Sequence, residues 1–120
     1  MTWVFDPNTP VYLQIIEHIE SEIISGVYQL GDKLPSVRDL AKEASVNPNT
    51  MQKALVELER KGLIITERTS GRHITTNESI IKKIKKEQAY KIVEEFINRM
   101  KKLGYTYDEI KSEILEYNDK

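Results

Sequence analysis

Polar side chains that suit hydrogen bonding to nucleic-acid bases are concentrated between residues 47 and 53. Asparagine and glutamine can pair with adenine through two hydrogen bonds, threonine can contact a base or a phosphate, and lysine suits a phosphate. The candidates are Asn47, Asn49, Thr50, Gln52 and Lys53. Two of them have a simpler structural alternative, because Asn47 can cap a helix and Thr50 can hydrogen bond within one.

A second group of basic and small residues flanks this segment on both sides. It comprises Lys33, Ser36, Arg38, Ser70, Gly71 and Arg72. Arg38 would occupy the first turn of a helix, where a cation opposes the helix dipole, so we expect it to meet a phosphate, a guanine or an acidic side chain. Gly71 permits close backbone approach and Arg72 suits a narrow groove, although an ordinary hairpin turn with a solvated arginine is the alternative.

No residue pattern typical of catalysis or metal binding accompanies these groups. The chain has no cysteine, which excludes disulfides, cysteine nucleophiles and thiolate zinc sites. The two histidines, His18 and His73, lie far apart, and the sequence contains no HExxH-like spacing, glycine-rich phosphate loop or nucleophile elbow. We therefore predict a protein that is not an enzyme and needs no cofactor or metal.

The spacing of apolar residues predicts three helices that would position the polar groups. The first begins at Pro10 with Thr9 as its N-cap and ends at Gly26. The second begins at residues 36–39, which resemble a capping box with aspartate in the acidic position. The third occupies residues 47–62, with asparagine as N-cap, proline at its first position and glycine at its end.

A β-hairpin and two further helices follow. The β-prone runs are Leu63–Thr66 and His73–Thr76, and the polar segment between them predicts a hairpin with a longer loop. The next helix is expected from about Ser79 to Leu103, and Thr106 with Glu109 forms a capping box for the last one. Three helices followed by a two-stranded wing predict a mainly α fold, the winged helix-turn-helix.

Several motifs in this order resemble the GntR family of bacterial transcription regulators. The stretches that carry the resemblance are Gly31–Ala41, Val46–Ala54, Leu58–Ile64 and Ser70–Arg72. The start at Pro10–Ile15, the Asn47–Thr50 sequence and the short tail resemble the YtrA-like subfamily. The resemblance covers residues 7–76, and several motifs at family spacing make it specific.

The resemblance implies a homodimeric, DNA-binding transcription factor, usually a repressor and often associated with a transporter operon. The absence of cysteine suits the cytoplasmic location that we expect. It makes the third helix the reader of the major groove and the wing a contact to the minor groove or backbone. Double-stranded operator DNA and a second copy of the chain are the expected partners, and an effector stays unidentified. A transcriptional activator and a winged helix that binds other proteins are the alternatives.

The overall charge of the chain does not itself indicate a nucleic-acid partner. The formal net charge is -1, and residues 1–77 carry 8 basic and 10 acidic side chains. Affinity for DNA depends on the local basic patch, however. The basic residues in the predicted binding elements are Lys33, Arg38, Lys42, Lys53, Arg68 and Arg72. A lysine cluster at residues 82–86 is either a further phosphate contact or a solvated helix face.

The tail supplies apolar stripes that predict self-association. The predicted dimerisation residues are Val93, Phe96, Ile97, Met100, Ile110 and Ile114. Two helices cannot enclose all of this apolar surface, so a second copy is expected to cover it, and a ligand between the protomers stays open. The predicted domains are residues 1–77, the DNA-binding domain with an N-terminal arm, and residues 78–120, the dimerisation region. No apolar run is long enough for a membrane span or a signal peptide, so no membrane partner is expected.

Overall fold

The computed structural model describes residues 3–118 and contains five helices and a two-stranded sheet within them. In chain order these are α1 (Val11–Ile24), α2 (Val37–Ala44), α3 (Pro48–Arg60), β1 (Ile64–Glu67), β2 (Gly71–Ile74), α4 (Glu78–Lys102) and α5 (Tyr107–Glu116). This order confirms the predicted fold class, a mainly α winged helix-turn-helix followed by two helices.

The predicted caps of α2 and α3 are present. Ser36 Oγ accepts a hydrogen bond from the backbone N–H of Asp39 at 3.1 Å. Asn47 Oδ1 accepts one from the N–H of Asn49 at 2.8 Å, and Pro48 occupies the first position of α3. These bonds satisfy backbone donors that the first helical turn cannot pair internally, so they fix where each helix begins.

The start of α1 differs from the prediction. Pro10 has extended backbone angles, φ −57° and ψ 133°, and is itself the N-cap, so Thr9 lies outside the helix and the prediction of a Thr9 cap is wrong. The side chain of Gln14 organises this region instead. Its Nε2 donates to the backbone carbonyls of Asp6 and Thr9, at 2.8 and 3.0 Å. The preceding arm is therefore held to α1 by a glutamine rather than by a helix cap.

The irregular arm is also attached to α1 and α2 through Trp3. Its ring stacks on His18 of α1 with 3.8 Å between centroids, and its Nε1 donates to Glu43 of α2 at 3.2 Å. Trp3 and Phe5 pack against the hydrophobic core. The arm is therefore an integral part of the first unit.

Helix α3 is central to the packing of the first unit. It contacts α1, α2 and β1. The fully buried large side chains of this core are Ile15, Ile19, Leu40, Met51, Leu55, Leu58, Leu63, Ile64 and Ile74. Since α3 buries Met51, Leu55 and Leu58 on one side, helical geometry turns its opposite face to solvent.

The wing is a tight antiparallel hairpin. Residue pairs run from Ile64 opposite Ile74 to Glu67 opposite Gly71, so residues 68–70 connect the strands. The prediction of a loop over residues 67–72 is therefore wrong. Glycine in the left-handed region, with φ +84° at Gly71, lets β2 begin directly after the short connection.

The segment before α2 pairs with the wing through an antiparallel β-bridge between Lys33 and His73. Backbone hydrogen bonds join Gly31 N–H to the Ile74 carbonyl at 3.0 Å and Leu34 N–H to the Arg72 carbonyl at 2.9 Å. The N–H of Ile74 in turn donates to the Asp32 carbonyl at 2.8 Å. Residues 31–34 therefore form the outer edge of the wing.

The chain divides into two compact units after Ile84, beyond the domain boundary predicted at residue 77. The first turns of α4 belong to the first unit because Ile80, Ile81 and Ile84 pack on its core. In the second unit Gly104, with φ +94°, separates α4 from α5. The predicted capping box of α5 is present, with both hydrogen bonds between Thr106 and Glu109.

Candidate nucleic-acid interface

The solvent face of α3 carries most of the polar residues that the sequence singled out. Asn49, Gln52 and Lys53 are exposed and Thr50 is half-buried. Asn47 uses its carbonyl oxygen to cap the helix, as its structural alternative predicted. Hydrogen-bonding side chains therefore cover the first two turns of the exposed face, where a recognition helix contacts base edges.

Lys53 is held in place by an aromatic ring of α1. Its Nζ lies 3.8 Å from the centroid of the Tyr12 ring, which is a cation–π contact. The lysine side chain remains exposed. The contact restricts where the ammonium group can lie without neutralising its charge.

The structure brings the predicted residues of the α2 start and of the wing tip together. An open cleft is lined by the predicted residues Lys33, Ser36, Ser70, Gly71 and Arg72. Its other lining residues are Leu34, Pro35, Val37, Asp39, Thr66 and Thr69. The Lys33 side chain lies beside Gly71. A Cβ atom at position 71 would be 3.7 Å from Lys33 Cε. Arg38 is exposed in the first turn of α2 but does not line this cleft.

The tip of the wing has an internal hydrogen-bond network. Ser70 Oγ donates to Glu67 Oε2 at 3.0 Å, and His73 Nε2 lies 3.0 Å from the same hydroxyl. Ser70 is therefore part of a structured tip, and the backbone of the neighbouring Gly71 remains exposed.

Arg72 is already engaged by an acidic residue of α3. Its Nε lies 2.6 Å from Glu59 Oε1, and the side chains of Arg72 and Glu59 are only 19% and 28% exposed. Partial burial by itself raises the pKa of Glu59, but hydrogen bonds from Arg72 and Thr66 and the Arg72 charge outweigh it, so the pKa lies below its ordinary value. The sequence did not single out Glu59, and its separation from Arg72 along the chain carries no local signal of the pair.

Two acidic residues of α1, Glu20 and Glu22, are buried, whereas Glu17 is exposed. Glu20 is 4% exposed and its Oε2 lies 2.8 Å from Lys61 Nζ, while Glu22 is 7% exposed with its Oε1 2.6 Å from His18 Nε2. The cations of the predicted binding elements, Arg72 excepted, are exposed. The near-neutral total charge is therefore compatible with a locally basic surface.

The predicted dimerisation residues of the second unit fall into two groups. Ile110 is 1% exposed and is the buried residue of α5, so it holds the unit together. Phe96, Met100 and Ile114 instead line one cavity of about 420 Å³, together with Glu113 and Tyr117. Val93 is exposed and Ile97 half-buried. Exposed apolar residues that the predicted set did not include are Ile92, Leu103 and Leu115.

Within residues 3–118, no group of three histidine, aspartate or glutamate side chains is arranged to hold a metal ion. None of the helices formed by these residues is both long and apolar enough to cross a membrane.

A three-helix core, a β-wing and a third helix that presents amide and ammonium groups to solvent define a winged helix-turn-helix DNA-binding protein. The profile of the family described as "Bacterial regulatory proteins, gntR family" matches residues 11–74. The chain belongs to the GntR family and is a YtrA-like, DNA-binding transcriptional regulator rather than an enzyme.

Similarity to curated relatives extends over most of the chain. The chain is 38% identical over 106 residues to the uncharacterized HTH-type transcriptional regulator YhcF of Bacillus subtilis. This match covers 88% of each of the two chains. The chain is 49% identical over 70 residues to the HTH-type transcriptional repressor YtrA of the same organism. That second match covers 58% of this chain and 54% of the repressor.

Two solved structures are informative about the fold and about DNA. A GntR family transcriptional regulator from Listeria monocytogenes has a TM-score of 0.86 and 38% identity, and the match covers 95% of this chain and all of that one. The DNA-binding domain of AraR in complex with operator ORX1 has a TM-score of 0.56 and 26% identity. That match covers 60% of this chain and 93% of the AraR domain.

Proposed function

We propose that this chain is a homodimeric repressor that binds a pseudo-palindromic operator. The exposed polar face of α3 carries the proposal, because the polar groups on its first turns are those that read base edges. Two such helices would enter the major groove at half-sites about one helical turn apart. Repression by blocking RNA polymerase, and a transporter operon as the target, are supported by the family resemblance.

Each predicted site residue except Arg72 has a proposed role at the DNA interface. Asn49 and Gln52 read bases, with Thr50 beside them and Asn47 fixing the helix start. Lys53, Arg38 and Lys33 contact phosphates. The cleft between Ser36 and the wing tip, Ser70–Gly71, follows the DNA backbone. A cytoplasmic location follows from access to the chromosome.

The second unit is proposed to join the two protomers. Phe96, Met100 and Ile114 form a shared apolar surface, and a second copy would bury it in a symmetric interface. Ile110 contributes indirectly, because its burial shapes the unit that presents this surface.

Fluorescence anisotropy tests the DNA proposal. A duplex from upstream of the protein's own gene is compared with a scrambled duplex at two salt concentrations. We expect preferential, salt-weakened binding with two protomers per site. Gln52→Ala should lose about tenfold or more of the preference, since one bidentate base contact contributes about 1–3 kcal/mol. Gln29→Ala, which changes an exposed glutamine outside these elements, is the matched control.

The outcomes separate the proposal from its alternatives. Equal loss of affinity in the Gln52 and Gln29 variants would contradict base reading by α3. Absence of binding to either duplex at low salt would favour a protein-interaction module. Transcription of a reporter placed behind the bound duplex distinguishes repression from activation.

A further inference from the structure

One carboxylate of α3 is bound by the second strand of the wing. Glu59 accepts a hydrogen bond from Nε of Arg72 on β2 at 2.6 Å. Thr66 on β1 also helps to lower the pKa of Glu59. Thr66 and Arg72 are directly opposite each other in the β1–β2 register. Side chains of opposed residues project from the same face of a sheet, so through Arg72 the Glu59 carboxylate joins this face of the wing to α3.

The pair neutralises the guanidinium group within the protein. Both side chains are largely shielded from solvent, and the hydrogen bond is assisted by opposite charges. A move of Arg72 to a phosphate would break this bond and leave the Glu59 carboxylate unpaired beside the DNA. The exposed cations Lys33 and Arg68 can meet a phosphate without this loss.

We infer that Glu59 is a positioning residue of the DNA-binding surface. Through Arg72 it sets where the wing tip, Ser70–Gly71, lies relative to α3, and Arg72 itself contacts no phosphate. The inference rests on the proposed DNA-binding function and departs from the sequence-based assignment of Arg72 as a direct contact.

The test compares Glu59→Gln, Arg72→Gln and the double variant. The double variant removes one positive and one negative charge and keeps an amide pair that can hydrogen bond. We expect each single variant to lose about tenfold of the preference for operator over scrambled DNA, because a charge-assisted hydrogen bond contributes about 1.5–3 kcal/mol. The double variant should recover to within about threefold of the wild type, the pattern of coupled residues.

Salt dependence distinguishes positioning from direct contact. Each neutralised phosphate contributes about 0.9 to the slope of log affinity against log salt. The double variant should keep the wild-type slope. A slope less steep by about 0.9 per protomer would show that Arg72 contacts a phosphate and would overturn the inference. Unchanged preference in both single variants, or independent losses that multiply in the double variant, would also overturn it.

Controls separate failure of this inference from failure of the proposed function. Arg38→Gln should reduce the salt slope by about 0.9 per protomer, because Arg38 is a proposed phosphate contact. An unchanged slope there would contradict the proposed role of α2 and not the role of Glu59. Thermal unfolding of every variant verifies that it is folded. A wild-type protein that binds neither duplex would overturn the proposed function, and this inference with it.

Discussion

Two isoleucines of α5, Ile110 and Ile114, lie one turn apart, and substitutions at them should affect different properties, stability at Ile110 and dimerisation at Ile114. Ile110 is 1% exposed, whereas Ile114 is 55% exposed and lines the apolar cavity with Phe96 and Met100. Ile114→Asp should therefore weaken dimerisation and leave the fold of each protomer intact. Ile110→Ala should destabilise the second unit.

The magnitudes follow from burial. Full burial of an isoleucine side chain contributes about 1.5–3 kcal/mol, so covering the exposed half of Ile114 contributes about 0.8–1.5 kcal/mol per protomer. A symmetric interface contains this side chain twice, so the dimer dissociation constant of Ile114→Asp should rise about 15- to 150-fold. Ile110→Ala should lower the free energy of unfolding by about 2–5 kcal/mol, because it leaves a cavity.

Sedimentation equilibrium measures the dimer constant and urea denaturation measures stability. Both are run at one protein concentration, since the stability of a dimer depends on concentration. A wild-type dimer constant in Ile114→Asp would place the interface elsewhere. Unchanged stability in Ile110→Ala would refute the assignment of Ile110 to the interior of the unit.

Three further predictions concern the wing and α2. Gly71→Ala and Gly26→Ala each place a side chain in the left-handed region, at φ +84° and +87°. Each should therefore lower the free energy of unfolding by about 1–2 kcal/mol. Only the Gly71 variant should also weaken operator binding in anisotropy titrations. The depressed pKa of Glu59 means that its contribution to stability is complete above the pKa of an unfolded glutamate and is lost as pH falls through the lower folded value. Melting temperatures measured below pH 5 should therefore fall more steeply in the wild type than in Glu59→Gln, and parallel curves would contradict this. Ser36→Ala should cost about 1 kcal/mol in urea denaturation through loss of the helix cap. Ser36→Asp should keep the cap and weaken DNA binding by repulsion, and tighter binding would count against the cleft.

Local features of this fold were predictable from the sequence. Helix caps and helix ends each depend on residues within one helical turn. The structure contains the predicted caps Ser36, Asn47 and Thr106 and the predicted helix end at Gly62. The start of α1 was misplaced by one residue because Pro10 can serve either as N-cap or as first helical residue, and sequence does not distinguish the two.

Contacts between distant residues were not predictable. The Glu59–Arg72 pair depends on how the wing folds back on α3, and the pairing of residues 31–34 with β2 depends on the path of the chain before α2. The hairpin loop was predicted too long because polar residues such as Arg72 suit either a loop or a strand. The positions of the candidate site residues on α3 were predictable, because helical periodicity alone assigns them to the face opposite the core.

The pairing of residues 31–34 with β2 has a consequence for engineering of DNA specificity. A wing transplanted from another regulator would arrive without the backbone partner that covers its outer strand. Its exposed edge would then be available to pair with other chains, which favours aggregation. Residues 31–34 and 64–74 therefore form one exchangeable unit, and a chimaera should replace them together.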